Sequence, residues 1–143
     1  MPERGGEVFV DAGFLIALRH RRDQHHQEAA EHWRRRVAQP ATRPSLVTSS
    51  FILDEALTFL NVRGLHREAV RLGRDLLESR LLETVHVDED LFSRSFELLE
   101  ARPDQRYSLT DCTSFVLMRD RDITSALTFD RRHFLTEGFA VEP

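Results

Sequence analysis

Two aspartates of this chain stand where a sheet would present them to a ligand. Asp11 ends the apolar run Glu7–Val10, EVFV, and Asp130 follows Thr124–Phe129, TSALTF. Both runs read as buried strands. In an open parallel sheet, ligands bind in the crevice beyond the C-terminal strand ends. Two carboxylates delivered to one edge repel each other unless a proton or a cation lies between them. Mg²⁺ takes hard oxygen ligands and keeps several waters, so it suits such a pair. Taken singly, each residue also reads as an ordinary loop or helix-capping aspartate.

Further acids lie on predicted helices. In ILDEALTFL the apolar face is Ile52, Leu53, Ala56, Leu57 and Leu60, and Asp54 and Glu55 fall on its two flanks. Periodicity does not choose between them. Ser108-Leu109-Thr110-Asp111 fits a capping box, with serine at N-cap and an acid at N3. The helix it opens is apolar all round, so Asp111 enters the interior, where a carboxylate needs a cation or strong hydrogen bonds. Capping and metal binding are compatible in this one residue. The histidines form no HExxH pattern; His133 follows Asp130 by three residues, but a solvated histidine is its simpler reading. Cys112 reads as a small buried core residue. The sequence contains no GxGxxG, Walker or GxSxG motif.

The elements that must position these acids alternate. Beyond the first strand, Gly13–Leu18 reads as a turn and helix, and Gln24–Val37 as an amphipathic helix. A proline-containing linker, Gln39–Pro44, leads to a strand at Leu46–Thr48. Ser49 or Ser50 caps a helix over Phe51–Val62 that Gly64 ends. Arg67–Ser79 follows, with Val70, Leu72, Leu76 and Leu77 expected to face the core. Leu81–Val87 reads as a strand, Asp88–Glu100 as a helix, Arg102–Tyr107 as a polar turn, and Leu109–Arg119 as a buried helix. After the strand at Thr124–Phe129 come a helical stretch at Arg132–Leu135 and an edge strand at Gly138–Val141. Strands separated by helices predict an α/β fold: an α/β/α sandwich around a mainly parallel sheet.

Composition narrows the class. The 143 residues suit one domain, expected over 1–143 with its core at about 8–139. A single cysteine leaves no disulfide framework within the chain and no cysteine-rich zinc site. No apolar run approaches the roughly eighteen residues a membrane span needs, and the N-terminus carries no signal-like stretch. A soluble, cytoplasmic protein is the expectation. The net charge of −4 gives no global support to nucleic-acid binding, but all 20 basic residues are arginine, whose donor fork suits phosphate.

The series FVDAGFLIAL, DEALTFL, YSLTDCTSFVLM and ALTFDRRHF, in that order and spacing, resembles the PIN-domain nucleases. It is most similar to the toxin ribonucleases of VapBC toxin–antitoxin pairs, a type II system, and the resemblance runs from about Val8 to Phe139. It implies that Asp11, Glu55, Asp111 and Asp130 are the catalytic, metal-holding acids, which selects Glu55 over Asp54. It also implies one or two Mg²⁺ or Mn²⁺ ions, hydrolysis of RNA phosphodiester bonds, inhibition by a cognate antitoxin protein and a homodimer. Two positions depart from the pattern: Gly13 stands where a hydroxyl or amide side chain is common, and Ser114 where another acid is common.

On this reading Asp11, Glu55 and Asp111 hold the first ion, and Asp130 positions that ion, a second one or the attacking water. Ser114 and Thr128 are supporting candidates, able to orient a water or a ligand. An acidic pocket alone repels RNA, so arginines must supply a positive rim; Arg19, Arg21, Arg22, Arg131 and Arg132 are nearest along the chain. Two other functions fit the same acids. One is a catalytically inactive PIN-like module that binds RNA or protein. The other is a metal-dependent phosphohydrolase acting on DNA or small phosphoesters.

Overall fold

Strand β1, Glu7–Val10, is buried through Val8, Phe9 and Val10. A strand covered on both faces must be apolar at consecutive rather than alternate positions, and this one is. In the computed structural model, which describes residues 6–143, β1 is the centre of a five-stranded sheet. Residues 1–5, part of the stretch behind the no-signal expectation, lie outside the described residues.

Helices α1 (Ala12–Arg19) and α2 (His26–His32) follow β1, and α2 runs on into a π-helical turn at Trp33–Val37. Strand β2 (Ser45–Ser49) leads to α3 (Ser50–Val62) and α4 (His66–Glu78). Strand β3 (Leu82–Val85) is followed by α5 (Glu89–Ala101) and α6 (Leu109–Asp120). Strand β4 (Ser125–Leu127), helix α7 (Arg131–Thr136) and strand β5 (Ala140–Glu142) complete the order.

All strand pairs are parallel, in the order β3-β2-β1-β4-β5. The predicted α/β sandwich is therefore the observed one. The chain builds outward from β1 through β2 to β3 and then returns to β1's other side with β4. That reversal is the topological switch point where a parallel sheet opens a crevice. Val10 pairs with Leu127, so Asp11 and Thr128 leave the sheet side by side.

Local chemistry sets the element ends. Ser49 caps α3 by accepting from Ile52 N, whereas Ser50 Oγ accepts from Val87 N and ties α3 to the chain after β3. Gly64, at φ 79°, ends the helix in the left-handed conformation that glycine adopts most readily. The helix predicted from Gln24 starts later, because Asp23 Oδ1 accepts from His25 N and holds the chain in a turn. The strand predicted to Phe129 stops at Leu127, and the Phe129 ring instead stacks on Phe14 and on His25.

Val70 and Leu77, expected in the core, are exposed. Helix α4 buries Leu72 and Leu76 as expected, and completes its stripe with Ala69 and Gly73 rather than with Val70 and Leu77. Gly73 lets Leu57 of α3 approach closely: a Cβ at Gly73 would lie 3.4 Å from Leu57 Cδ1. Phe115 of α6 packs edge-on against Tyr107 and Phe134 and stacks on Phe139.

Candidate active site

Asp11 is held at the switch point by its neighbours on β4. Its backbone N–H donates to Leu127 O at 3.0 Å, and its Oδ2 accepts from Thr128 Oγ1 at 2.7 Å. The residue is only 9% exposed. Burial pushes its carboxyl up to about 7, with the charges of Asp111 and Glu55 adding and the Thr128 hydrogen bond opposing.

Asp111 arrives from α6. The capping box is formed on both arms: Asp111 N donates to Ser108 Oγ, and Asp111 Oδ2 accepts from Ser108 N, each at 3.0 Å. One carboxylate therefore caps its helix and still faces the crevice. Burial raises its pKa, Asp130 raises it further, and the Ser108 hydrogen bonds and His133 oppose.

Asp130 caps α7. Its Oδ1 accepts from His133 N at 3.4 Å, and its Oδ2 lies 2.8 Å from His133 Nδ1. Its own N–H donates to Thr128 Oγ1 at 3.0 Å. The Thr128 hydroxyl thus bridges the first acid and the last.

Glu55 stands at the rim on α3. Its pKa is raised by burial, then by Asp111 and Asp54. Asp54 points to solvent, within 3.4 Å of the Thr58 hydroxyl that donates to it. Of the two flanking acids, Glu55 is the one whose carboxyl the Asp111 charge raises.

His133 belongs to this cluster, contrary to its reading as a solvated residue. Asp111, Asp130 and His133 offer ligand atoms that all lie within 4.8 Å of one another. The Tyr107 ring meets the His133 ring edge-on, with centroids 4.9 Å apart, and the Tyr107 hydroxyl donates to Glu137 at 2.9 Å. Glu137 also receives Arg102 at 3.1 Å and Arg119 at 2.9 Å, which fixes the end of α7. The i,i+3 spacing of Asp130 and His133 at a helix start was the available signal.

The other candidates divide. Thr128 is part of the site. Ser114 is fully buried, and its hydroxyl donates to Thr110 O at 3.1 Å, a bond internal to α6. Arg131 and Arg132 are exposed at the start of α7, and Arg131 donates to Pro143 O at 3.0 Å. Arg19 is paired with Asp75 at 2.6 Å, while Arg21 and Arg22 extend into the turn after α1.

The donors are hard oxygens with one imidazole, and burial, with a smaller contribution from neighbouring carboxylates, raises the pKa values of Asp11, Glu55 and Asp111. A divalent cation of the Mg²⁺ class is the group this donor set fits. Covalent catalysis finds no support here, since the one cysteine is buried and burial pushes its thiol up to about 11.

The pattern described as the PIN domain matches residues 8–137. The chain belongs to the PIN-domain family. The resemblance carried by the four sequence segments is borne out over residues 8–137. This PIN domain is 36% identical over 133 residues to the 23S rRNA-specific endonuclease VapC20 of Mycobacterium tuberculosis, in strains CDC 1551 / Oshkosh and ATCC 25618 / H37Rv. The alignment spans 92% of this chain and 95% of each relative. The fold is similar to the crystal structure of M. tuberculosis VapC20, described as a sarcin–ricin-loop-cleaving toxin. That match has a TM-score of 0.81 and 34% identity, and it covers 93% of this chain and 96% of the other. Among the described residues, no helix of this PIN domain is long and apolar enough to cross a membrane.

Proposed function

We propose that this PIN domain is a divalent-metal-dependent endoribonuclease, the toxin of a type II toxin–antitoxin pair, that cuts a structured loop of ribosomal RNA. The observation that carries the reading is the grouping of Asp111, Asp130 and His133 within 4.8 Å of one another, with the buried Asp11 joined to Asp130 through the Thr128 hydroxyl. The identity to a 23S rRNA-specific endonuclease supports ribosomal RNA as the substrate. The setting would be the cytoplasm, with a cognate antitoxin as inhibitor and a second copy of the chain as homodimer partner.

Asp11, Glu55 and Asp111 would hold Mg²⁺ or Mn²⁺, with Asp130 completing the set on the β4 side. When bound, the ion would lower the pKa of water and stabilise charge on the scissile phosphate. The chain's own residues prepare that arrangement. Thr128 spends its one hydroxyl proton on Asp11 and so fixes the most buried carboxylate. His133 holds Asp130 through Nδ1, and Ser108 holds Asp111 through its backbone N–H. Rigid ligands of this kind limit the reorganisation needed as charge develops. Glu55 is the exposed one of the four acids. Attack of water in line with the P–O3′ bond would leave a 5′-phosphate and a 3′-hydroxyl.

The test is cleavage of a labelled sarcin–ricin-type RNA hairpin by the purified chain with Mg²⁺ or Mn²⁺, beside EDTA and Asp11→Asn controls. Metal-dependent fragments made only by the unsubstituted protein are expected. Metal binding without cleavage of this hairpin or of total cellular RNA would overturn the reading in favour of an inactive binding module. Equal cleavage of DNA would point to a broader phosphohydrolase.

A further inference from the structure

A cleft of about 820 Å³ has Arg19, Arg21 and Arg22 of the α1–α2 turn on one wall and Arg63 and Arg71 on the other. Glu68 is the one acid that lines it. Arg19 is neutralised by Asp75 at 2.6 Å, and Arg63 lies over the Phe59 ring, 3.4 Å from its centroid. Among the described residues, Arg21, Arg22, Arg63 and Arg71 have no carboxylate within ion-pair distance. Gathering these like charges around one concavity costs free energy that a bound polyanion would offset.

Both walls are continuous with the catalytic edge. Arg19 ends the helix that starts beside Asp11, and Arg63 follows Glu55 by eight residues at the end of α3. At 1.5 Å per residue, each arginine lies about 12 Å along its helix from its acid. Arginine forks bind phosphate oxygens in pairs, and a cleft lined by them suits a nucleic-acid backbone better than an apolar protein segment.

We infer that the Arg21–Arg22–Arg63–Arg71 cleft grips the RNA backbone a few nucleotides from the scissile phosphate. The inference rests on the ribonuclease reading for the identity of the polyanion. The cleft is a positioning site: it lets an acidic protein hold an acidic polymer while the acids at the switch point stay free for the metal.

The experiment uses the full chain in EDTA, where no cutting occurs, and a fluorescein-labelled sarcin–ricin-type RNA hairpin. Affinity is measured by anisotropy between about 50 and 200 mM salt. Arg63→Gln/Arg71→Gln is compared with Arg34→Gln/Arg80→Gln, which removes equal charge from exposed positions outside this cleft. Melting curves establish that both variants are folded. The cleft variant is expected to bind at least tenfold more weakly, with a slope of log K against log salt shallower by about 1.4–1.8, two phosphate contacts' worth. The control keeps the unsubstituted slope. Equal slopes for all three proteins, or equal losses in both variants, would overturn the inference. So would a cleft variant that binds RNA normally but loses an acidic peptide, which would assign the cleft to a protein partner. Hairpin cleavage with Mn²⁺ separates the two readings. An uncut hairpin with the expected slope change removes the ribonuclease and keeps the cleft; cutting with no slope change does the reverse.

Discussion

Thr128 and Asp11, 117 positions apart in sequence, are joined by a buried 2.7 Å hydrogen bond in which the hydroxyl donates to the carboxylate. The same hydroxyl oxygen accepts from Asp130 N at 3.0 Å. One small side chain therefore sets the relative position of two acids that come from opposite ends of the chain.

Thr128→Val removes the donor while keeping the volume. Asp11 then loses the contact that opposes its burial, so its carboxyl moves above about 7. A hydrogen bond to a charged group contributes about 1.5–3 kcal/mol, which corresponds to roughly a 10- to 100-fold slower cleavage. The pH–rate profile should shift upward on its acid side, and Thr128→Ser should restore both rate and profile. A valine variant with the unsubstituted rate and pH profile would count against this role.

Asp11 also makes the metal-free protein sensitive to pH. Its carboxyl is raised from 3.8 to about 7 in the fold, because burial disfavours the charged form. Below 3.8 the acid is protonated in both states and costs nothing. Between 3.8 and 7 only the unfolded chain ionises, so stability falls as pH rises and levels off above about 7. The loss is on the order of 4 kcal/mol, and the raised Glu55 and Asp111 act with the same sign. Urea unfolding in EDTA should show lower stability at pH 8 than at pH 5. Asp11→Asn should be the more stable protein at pH 8, although inactive.

A divalent cation should reverse that penalty. Binding to the folded state alone stabilises it by mass action, about 2.7 kcal/mol at a hundredfold excess over Kd. Mn²⁺ should therefore raise the melting temperature at pH 8 much more than at pH 5, where protons compete for Asp11. Asp11→Asn and Asp111→Asn should lose most of this rise. Calorimetry in two buffers of different ionisation heat would detect the accompanying proton release.

Much of this site is legible in the residue order. EVFV stops abruptly at Asp11 because a central strand is apolar until it leaves the sheet, and Ser108 with Asp111 announces its capping box in the sequence. Local patterns fail where the deciding contact comes from elsewhere. The flanks of α3 look alike until α6 brings the charge of Asp111 to bear on Glu55. Leu77 looks like a core residue until α4 turns its stripe toward Leu57, with Gly73 in the contact. Arg63 and Arg71 carry no signal along the chain, since their meeting with Arg21 and Arg22 depends on how α3 and α4 pack beside α1.

His133 reads in sequence as a solvated residue, and its chemistry in the site can be separated atom by atom. Nδ1 is the nitrogen 2.8 Å from Asp130, and the ring is braced edge-on by Tyr107, itself fixed to Glu137. An asparagine places its amide nitrogen near the position of Nδ1, whereas a glutamine reaches toward that of Nε2. If His133 acts by holding Asp130, His133→Asn should keep cleavage within a few-fold, and His133→Gln and His133→Ala should lose about tenfold, the value of a hydrogen bond worth about 1.4 kcal/mol. If Nε2 is instead the working atom, as a metal ligand or a contact to phosphate, the order reverses and His133→Gln is the active variant. Rates at saturating Mn²⁺, with metal affinity measured separately, decide between the two orders. Equal activity in all three variants would remove His133 from the mechanism.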